Sequence, residues 1–137
     1  MAREVVALAV MGIDQHENGI VAVSRVLMET QMQVSYLGVC QTPDSVVDRA
    51  IGLQADVIGI SCHSWEYLTL VPQLIEKLRS AGSDIQVIIG GSVITSEDAK
   101  TMADAGVAAV FTSSTDTLAI VECVRKLAAE KKAASPV

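Results

Sequence analysis

The segment "MGIDQHENG", Met11 to Gly19, sets a carboxylate, Asp14, two residues before an imidazole, His16, and follows them with a glycine. The chain has only 2 histidines, and the segment that holds this one directly follows the apolar run "VVALAV". An aspartate at that spacing can hydrogen-bond one imidazole nitrogen and leave the other for a metal, fixing the tautomer and raising ligand basicity. The same pair also reads as an ordinary turn closed by a capping hydrogen bond. One imidazole is too little for a bare zinc or iron ion, which asks for three or four protein ligands. A metal already held in a macrocycle needs only one axial ligand from the protein. The other histidine, His63, lies in "SCHSWEY", another polar stretch after an apolar run. Further such stretches are "GGSVIT", which begins at Gly90-Gly91, and "TSSTDT", which begins at Thr112.

What positions these residues is an alternating pattern. Apolar, β-branched runs recur at "EVVALAV", "QVSYLGV", "DVIGIS", "IQVIIG" and "VAAVFT". Between them lie stretches of helical character. The first spans Ile20 to Thr30. The second opens at "QTPDS", where Thr42 can cap, Pro43 suits the first turn and Asp44 suits the helix dipole. The third runs from about Leu68 to Ser80, the fourth opens at "TSEDAK", and the fifth runs from about Asp116 to Lys132 before fraying in "AASPV". Strands that alternate with helices and read as continuous apolar runs predict a doubly wound parallel sheet with helices on both faces. The expected fold class is α/β, flavodoxin-like (Rossmann-like), with strand order 2-1-3-4-5. One domain over residues 1–137 is expected, its core at about 5–127 and a flexible tail at about 131–137. Ligands of such sheets bind beyond the carboxyl ends of the strands, near the point where strand order reverses. All four polar stretches fall on that rim.

Composition narrows the function. The chain has 137 residues, is 50% hydrophobic but only 3% aromatic, and carries a formal net charge of -6. The core must therefore be aliphatic, and a general nucleic-acid binder, which needs a basic face, is not expected. No apolar run approaches the roughly 18 residues of a membrane helix, and "MAREVV" lacks signal-peptide anatomy. The 3 cysteines, Cys40, Cys62 and Cys123, form no Cys-x-x-Cys pair, so a cytoplasmic, reduced protein is expected. Common tenants of the fold fit poorly. A receiver domain needs an aspartate after the third strand and a lysine after the fifth, but Ser61 and Thr112 stand there. No Walker loop and no G-x-G-x-x-G fingerprint occurs.

Three motifs at family spacing carry a resemblance. Asp14-x-His16-x-x-Gly19 is followed, after the 41 residues Ile20 to Ile60, by Ser61; after His63, the 26 residues Ser64 to Ile89 lead to Gly90-Gly91. In this the chain, from about Val5 to Leu127, resembles the cobalamin-binding domain, or small subunit, of adenosylcobalamin-dependent carbon-skeleton mutases. "QTP" at Gln41 to Pro43 and "LTLVP" at Leu68 to Pro72 look like the methylmalonyl-CoA mutase branch; a small subunit like that of glutamate mutase is the near alternative.

The resemblance implies that His16 replaces the cofactor's own base as the lower cobalt ligand, the base-off/His-on mode, and that Asp14 hydrogen-bonds its far nitrogen. It implies that Gly19 lets the backbone approach the corrin, that Ser61 hydrogen-bonds the displaced base, and that Gly90 and Gly91 line a slot for the nucleotide tail. Gln15, His63, Thr112 and Thr115 complete the implied cofactor site. Two positions depart from the family pattern: His63 stands where it has leucine, and Ser113-Ser114 stand where it has Pro-Gly. His63 reads either as a polar rim residue or as part of the tail pocket. Trp65 and Tyr67 read either as cover for the third helix or as contacts to a partner; Glu17 and Asn18 read as solvated loop.

The implied activity is a radical isomerisation of an acyl-CoA, performed with adenosylcobalamin. No residue of this chain beyond the cobalt ligand is expected to be catalytic. A (β/α)8 barrel that would hold substrate needs about 250 residues, so a separate large mutase subunit in a hetero-oligomer is the expected partner. A methyl-carrying corrinoid protein would share Asp-x-His-x-x-Gly but usually adds a helical cap domain before this fold, and the first strand already starts at about Val5. A non-catalytic cobalamin sensor or carrier would need an effector domain.

Overall fold

The computed structural model describes residues 3–13, 16–112 and 116–134. Strands β1 (Val5–Met11), β2 (Gln33–Gln41), β3 (Val57–Ser61), β4 (Gln86–Gly90) and β5 (Ala109–Phe111) alternate with helices α1 (Asn18–Glu29), α2 (Pro43–Gly52), α3 (Tyr67–Ser80), α4 (Ser96–Asp104) and α5 (Thr117–Ala134). The strands form one sheet in the order β2-β1-β3-β4-β5, with every neighbouring pair parallel. The flavodoxin-like order expected from the alternating runs is the one found.

Local chemistry explains the helix starts. Thr42 and Ser45 form a reciprocal capping box at α2: the Ser45 N–H donates to Thr42 Oγ1 at 3.1 Å and the Thr42 N–H to Ser45 Oγ at 2.9 Å. Thr95 Oγ1 accepts from the Asp98 N–H at α4, where Glu97 and Asp98 also sit in the first turn. Each such cap satisfies a backbone donor that the helix leaves unpaired.

Alternation along the strands sorts the core into two layers. Ala7, Ala9, Ile58, Ile60, Val87 and Ile89 face α2, α3 and α4, whose Val46, Val71, Leu74, Leu78 and Met102 meet them. Val6, Leu8, Val10, Val57 and Ile88 face α1 and α5, packing on Ile20, Leu27, Val121 and Val124. Such period-two sorting follows from the pleat. Among the described residues, no helix is long and apolar enough to cross a membrane.

Candidate functional site

The carboxyl ends of β1, β3, β4 and β5 meet at one rim. The register places Val10 beside Ser61, Ser61 beside Gly90, and Gly90 beside Phe111. One step deeper, Leu8 pairs with Gly59 and Gly59 with Ile88. Gly59, Ser61 and Gly90 thus fall on the face of the sheet that α1 and α5 cover. Small residues there leave the helices nothing to pack on, and a cavity of about 340 Å³ remains between helices and sheet. Its apolar wall includes Leu8, Ile20, Val23, Ile88, Phe111 and Ile120; Ser61, His63, Ser92, Thr112 and Thr117 add polar groups.

Of the residues singled out in the sequence, Gly19, Ser61, His63, Gly90, Gly91 and Thr112 all border this one cavity. His16 is exposed at the rim, its ring centroid 5.5 Å from that of His63 and tilted by 44°. Asp14, Gln15 and Thr115 lie outside the described residues. His63 therefore both borders the cavity and stands against His16.

The loop that bears His16 has identifiable anchors. The Gly12 N–H donates to the Gln41 carbonyl at 2.8 Å, and the Ile13 N–H donates to Glu66 Oε1 at 3.0 Å. Gly12 has a φ of 74°, a left-handed conformation that favours glycine. A Cβ there would also come within 2.6–2.8 Å of the Glu66 carboxylate. On the far side of His16, the Tyr36 hydroxyl donates to Glu17 Oε2 at 2.5 Å. Burial, and then this bond to a carboxylate, push the Tyr36 hydroxyl above its ordinary pKa, so it stays a donor.

One expectation gains a second physical reason, and two need correction. Gly91 is expected to line the slot for the nucleotide tail. It does border the cavity, but its own Cβ would lie 1.7 Å from the Cys62 carbonyl oxygen. The backbone of the β4–α4 turn is pressed against that of the β3–α3 turn, so the fold itself demands glycine here. Glu17 and Asn18 are not merely solvated loop: Asn18 opens α1 and Glu17 accepts from Tyr36. Trp65 and Tyr67 do not share a role. Tyr67 is buried, its hydroxyl donating to Asp98 Oδ2 at 3.2 Å, whereas Trp65 is 62% exposed. Gly19, by contrast, would meet nothing within 4 Å among the described residues if given a Cβ, so no packing among them requires a glycine there.

Gly59, Ser92, Thr117, Glu66 and Tyr36 were not singled out in the sequence. Gly59 carried a readable cue: a lone glycine inside a β-branched strand often marks close approach, and its Cβ would lie 2.6 Å from Leu8 Cδ2.

Comparison with known proteins gives this geometry a family. The B12 binding domain family matches residues 4–122. The chain is 36% identical over 128 residues to the 2-hydroxyisobutanoyl-CoA mutase small subunit of Aquincola tertiaricarbonis, covering 93% of this chain and 94% of the relative. It is 37% identical over 124 residues to the pivalyl-CoA mutase small subunit of Xanthobacter autotrophicus, covering 90% of this chain and 82% of that one. Ethylmalonyl-CoA mutase of Cereibacter sphaeroides is 36% identical over 101 residues, 74% of this chain but only 15% of that much longer one. Among solved structures, a cobalamin-binding protein from Desulfitobacterium hafniense superimposes with a TM-score of 0.79 at 20% identity, covering 91% of this chain and 59% of the other. A receiver domain from Francisella reaches 0.72 at 16% identity, covering 93% of this chain and 98% of the other, a likeness of fold alone. The chain belongs to the B12-binding domain family, and its relatives within it include small subunits of acyl-CoA mutases.

Proposed function

We propose that this chain is the cobalamin-carrying small subunit of an acyl-CoA mutase, an isomerase active only with a second, catalytic chain. It acts as one corrinoid-binding domain of a cytoplasmic hetero-oligomer. The observation that carries the reading is the cavity of about 340 Å³ under α1 and α5, which opens beside the exposed His16. A mostly apolar slot with hydroxyls from Ser61, Ser92, Thr112 and Thr117 suits a flat heteroaromatic base carried on a ribose phosphate. The space at Gly19, free of the described residues, suits a bulky ring system passing over the start of α1.

In this reading His16 would ligate the cobalt and Asp14 would orient its imidazole. Ser61 hydrogen-bonds the displaced base, while Gly90 and Thr112 line its slot with His63. Gly91 contributes by letting the two turns close on each other, and Gln15 and Thr115 complete the surroundings. Bound adenosylcobalamin supplies radical chemistry through its cobalt–carbon bond. The chain's own part is to hold the corrinoid at a fixed height and orientation and to keep water from the tail. Its relatives are named for CoA thioesters, which favours an acyl-CoA over glutamate as substrate class. We assign substrate binding to a (β/α)8-barrel chain, and exposed Trp65 to the side that meets it.

The test is spectroscopic. Cob(II)alamin bound to the protein should show nitrogen superhyperfine splitting that changes when the histidines carry nitrogen-15. His16→Ala should abolish that change and His63→Ala should keep it. Splitting indifferent to labelling would refute the His-on assignment. Affinity capture from the native source should bring down a barrel-type mutase chain; a methyltransferase in its place would refute the mutase assignment.

A further inference from the structure

The segment that carries His16 is fastened at both ends by side chains from elements other than the two it connects. At its entry the Ile13 N–H donates to Glu66 Oε1 at 3.0 Å. The same oxygen accepts from the Ser64 hydroxyl at 3.2 Å, and the carboxylate fills the space that a Cβ on Gly12 would take. At its exit the Tyr36 hydroxyl donates to Glu17 Oε2. Glu66 precedes α3 and Tyr36 lies in β2. The contacts span 53 and 19 residues of sequence. Glu66 and Tyr36 are themselves half-buried, while the loop residues they hold, Ile13 and Glu17, are exposed.

We propose that Glu66 and Tyr36 are positioning residues for His16, a two-point clamp that sets where the loop can present its imidazole. The proposal rests on the reading of His16 as the lower cobalt ligand. A loop that must be ordered when its imidazole binds loses conformational freedom at that moment, and this opposes binding. Ends fastened beforehand leave less freedom to lose. They also fix the approach of the ring, to which a bond to a metal at a set height is sensitive. Neither side chain need touch the corrinoid; each acts on the backbone or carboxylate of a loop residue. The bond accepted by the Glu66 carboxylate is charge-assisted, as is the Tyr36 bond to Glu17, and such bonds are roughly twice as strong as neutral ones.

Tyr36→Phe, Glu66→Ala and Glu66→Gln separate this role from a general loss of stability. In cofactor-free protein, hydrogen exchange at the Ile13 amide should speed up about tenfold in Glu66→Ala and less in Glu66→Gln, whose side-chain carbonyl still accepts. Affinity for cobinamide, which lacks the nucleotide tail, should fall about three- to tenfold in Tyr36→Phe and in Glu66→Ala. Complete cobalamin, held also by its tail, should lose less affinity, but a smaller share of it should show the imidazole splitting. A merely structural role would weaken both corrinoids alike and leave that share unchanged. Should Glu66→Ala fail to fold, Tyr36→Phe, which removes one oxygen, decides. Wild-type protein without an imidazole signal overturns the cobalt reading and the proposal with it. A normal wild-type signal that both variants keep, with cobinamide affinity within about twofold of wild type, overturns the clamp alone.

Discussion

Toward α2, α3 and α4 the sheet presents Ala7, Ala9, Ile58, Ile60, Val87 and Ile89, and Leu74, Leu78 and Val71 close over them without exposure. Toward α1 and α5 the same strands present Leu8, Gly59, Ser61, Ile88 and Gly90, and a cavity of about 340 Å³ stays open. Because side chains alternate along a strand, the two faces can be chosen independently. One face is filled and holds the fold together. The other is filled only away from the rim, by Val6, Val57, Leu27 and Val124, and is left unfilled where a ligand would enter. In the proposed reading, stability and capacity to bind fall on opposite sides of one sheet.

The strongest challenge to this division is Gly91, which touches both. Gly91→Ala would drive a Cβ to 1.7 Å from the Cys62 carbonyl, a backbone contact that no rotamer relieves. We predict destabilisation upwards of about 3 kcal/mol, seen as loss of the cooperative thermal transition or failure to accumulate. A stable Gly91→Ala that loses only binding would return the residue to the ligand slot.

Large-to-small changes on the two faces should differ next. Leu74→Ala on the filled face should cost about 3–5 kcal/mol in denaturant unfolding. Ile20→Ala, whose side chain already borders empty space, should cost less, about 1–2 kcal/mol, since fewer contacts are lost. Equal costs would mean the cavity collapses in solution.

Gly19→Leu sharpens the contrast further. Its Cβ meets no atom of the described residues and it replaces a glycine in the first turn of α1, so cofactor-free protein should be no less stable, gaining up to about 0.5 kcal/mol. Affinity for cobalamin should nevertheless fall at least about tenfold, or 1.4 kcal/mol. Unchanged affinity by absorbance titration would remove Gly19 from the site. The smallest effect is expected of Ser61→Ala: about 0.5–1.5 kcal/mol of binding to complete cobalamin, none to cobinamide and little in stability. A loss shared by both corrinoids would detach Ser61 from the tail.

How much of this was readable in the residues follows the same division. The strands were legible because doubly covered strands are continuous apolar runs, and α2 and α4 because Thr42 and Thr95 carry their own caps. The start of α1 was placed two residues late, since Glu17 and Asn18 look solvated until Tyr36 is brought beside Glu17 by the pairing of β1 with β2. The rim was legible as a set of polar turns after apolar runs. The reason for Gly91 was not, because the Cys62 carbonyl reaches it only through the register of β3 on β4. Glu66 was hidden for the same reason: it meets Ile13 across 53 residues, and a glutamate before a helix looks like any other.

The two outer strands of the sheet carry a consequence of their own. β5 is 3 residues long. β2 is longer, but its register against β1 shifts twice, and Gly38 and Cys40 take φ values of 103° and 58°. A foreign strand seeking to extend the sheet would find too short a template on one side and an interrupted row of donors and acceptors on the other. Breaks of this kind protect against edge-to-edge polymerisation, so the chain should tolerate high concentration without forming fibrils.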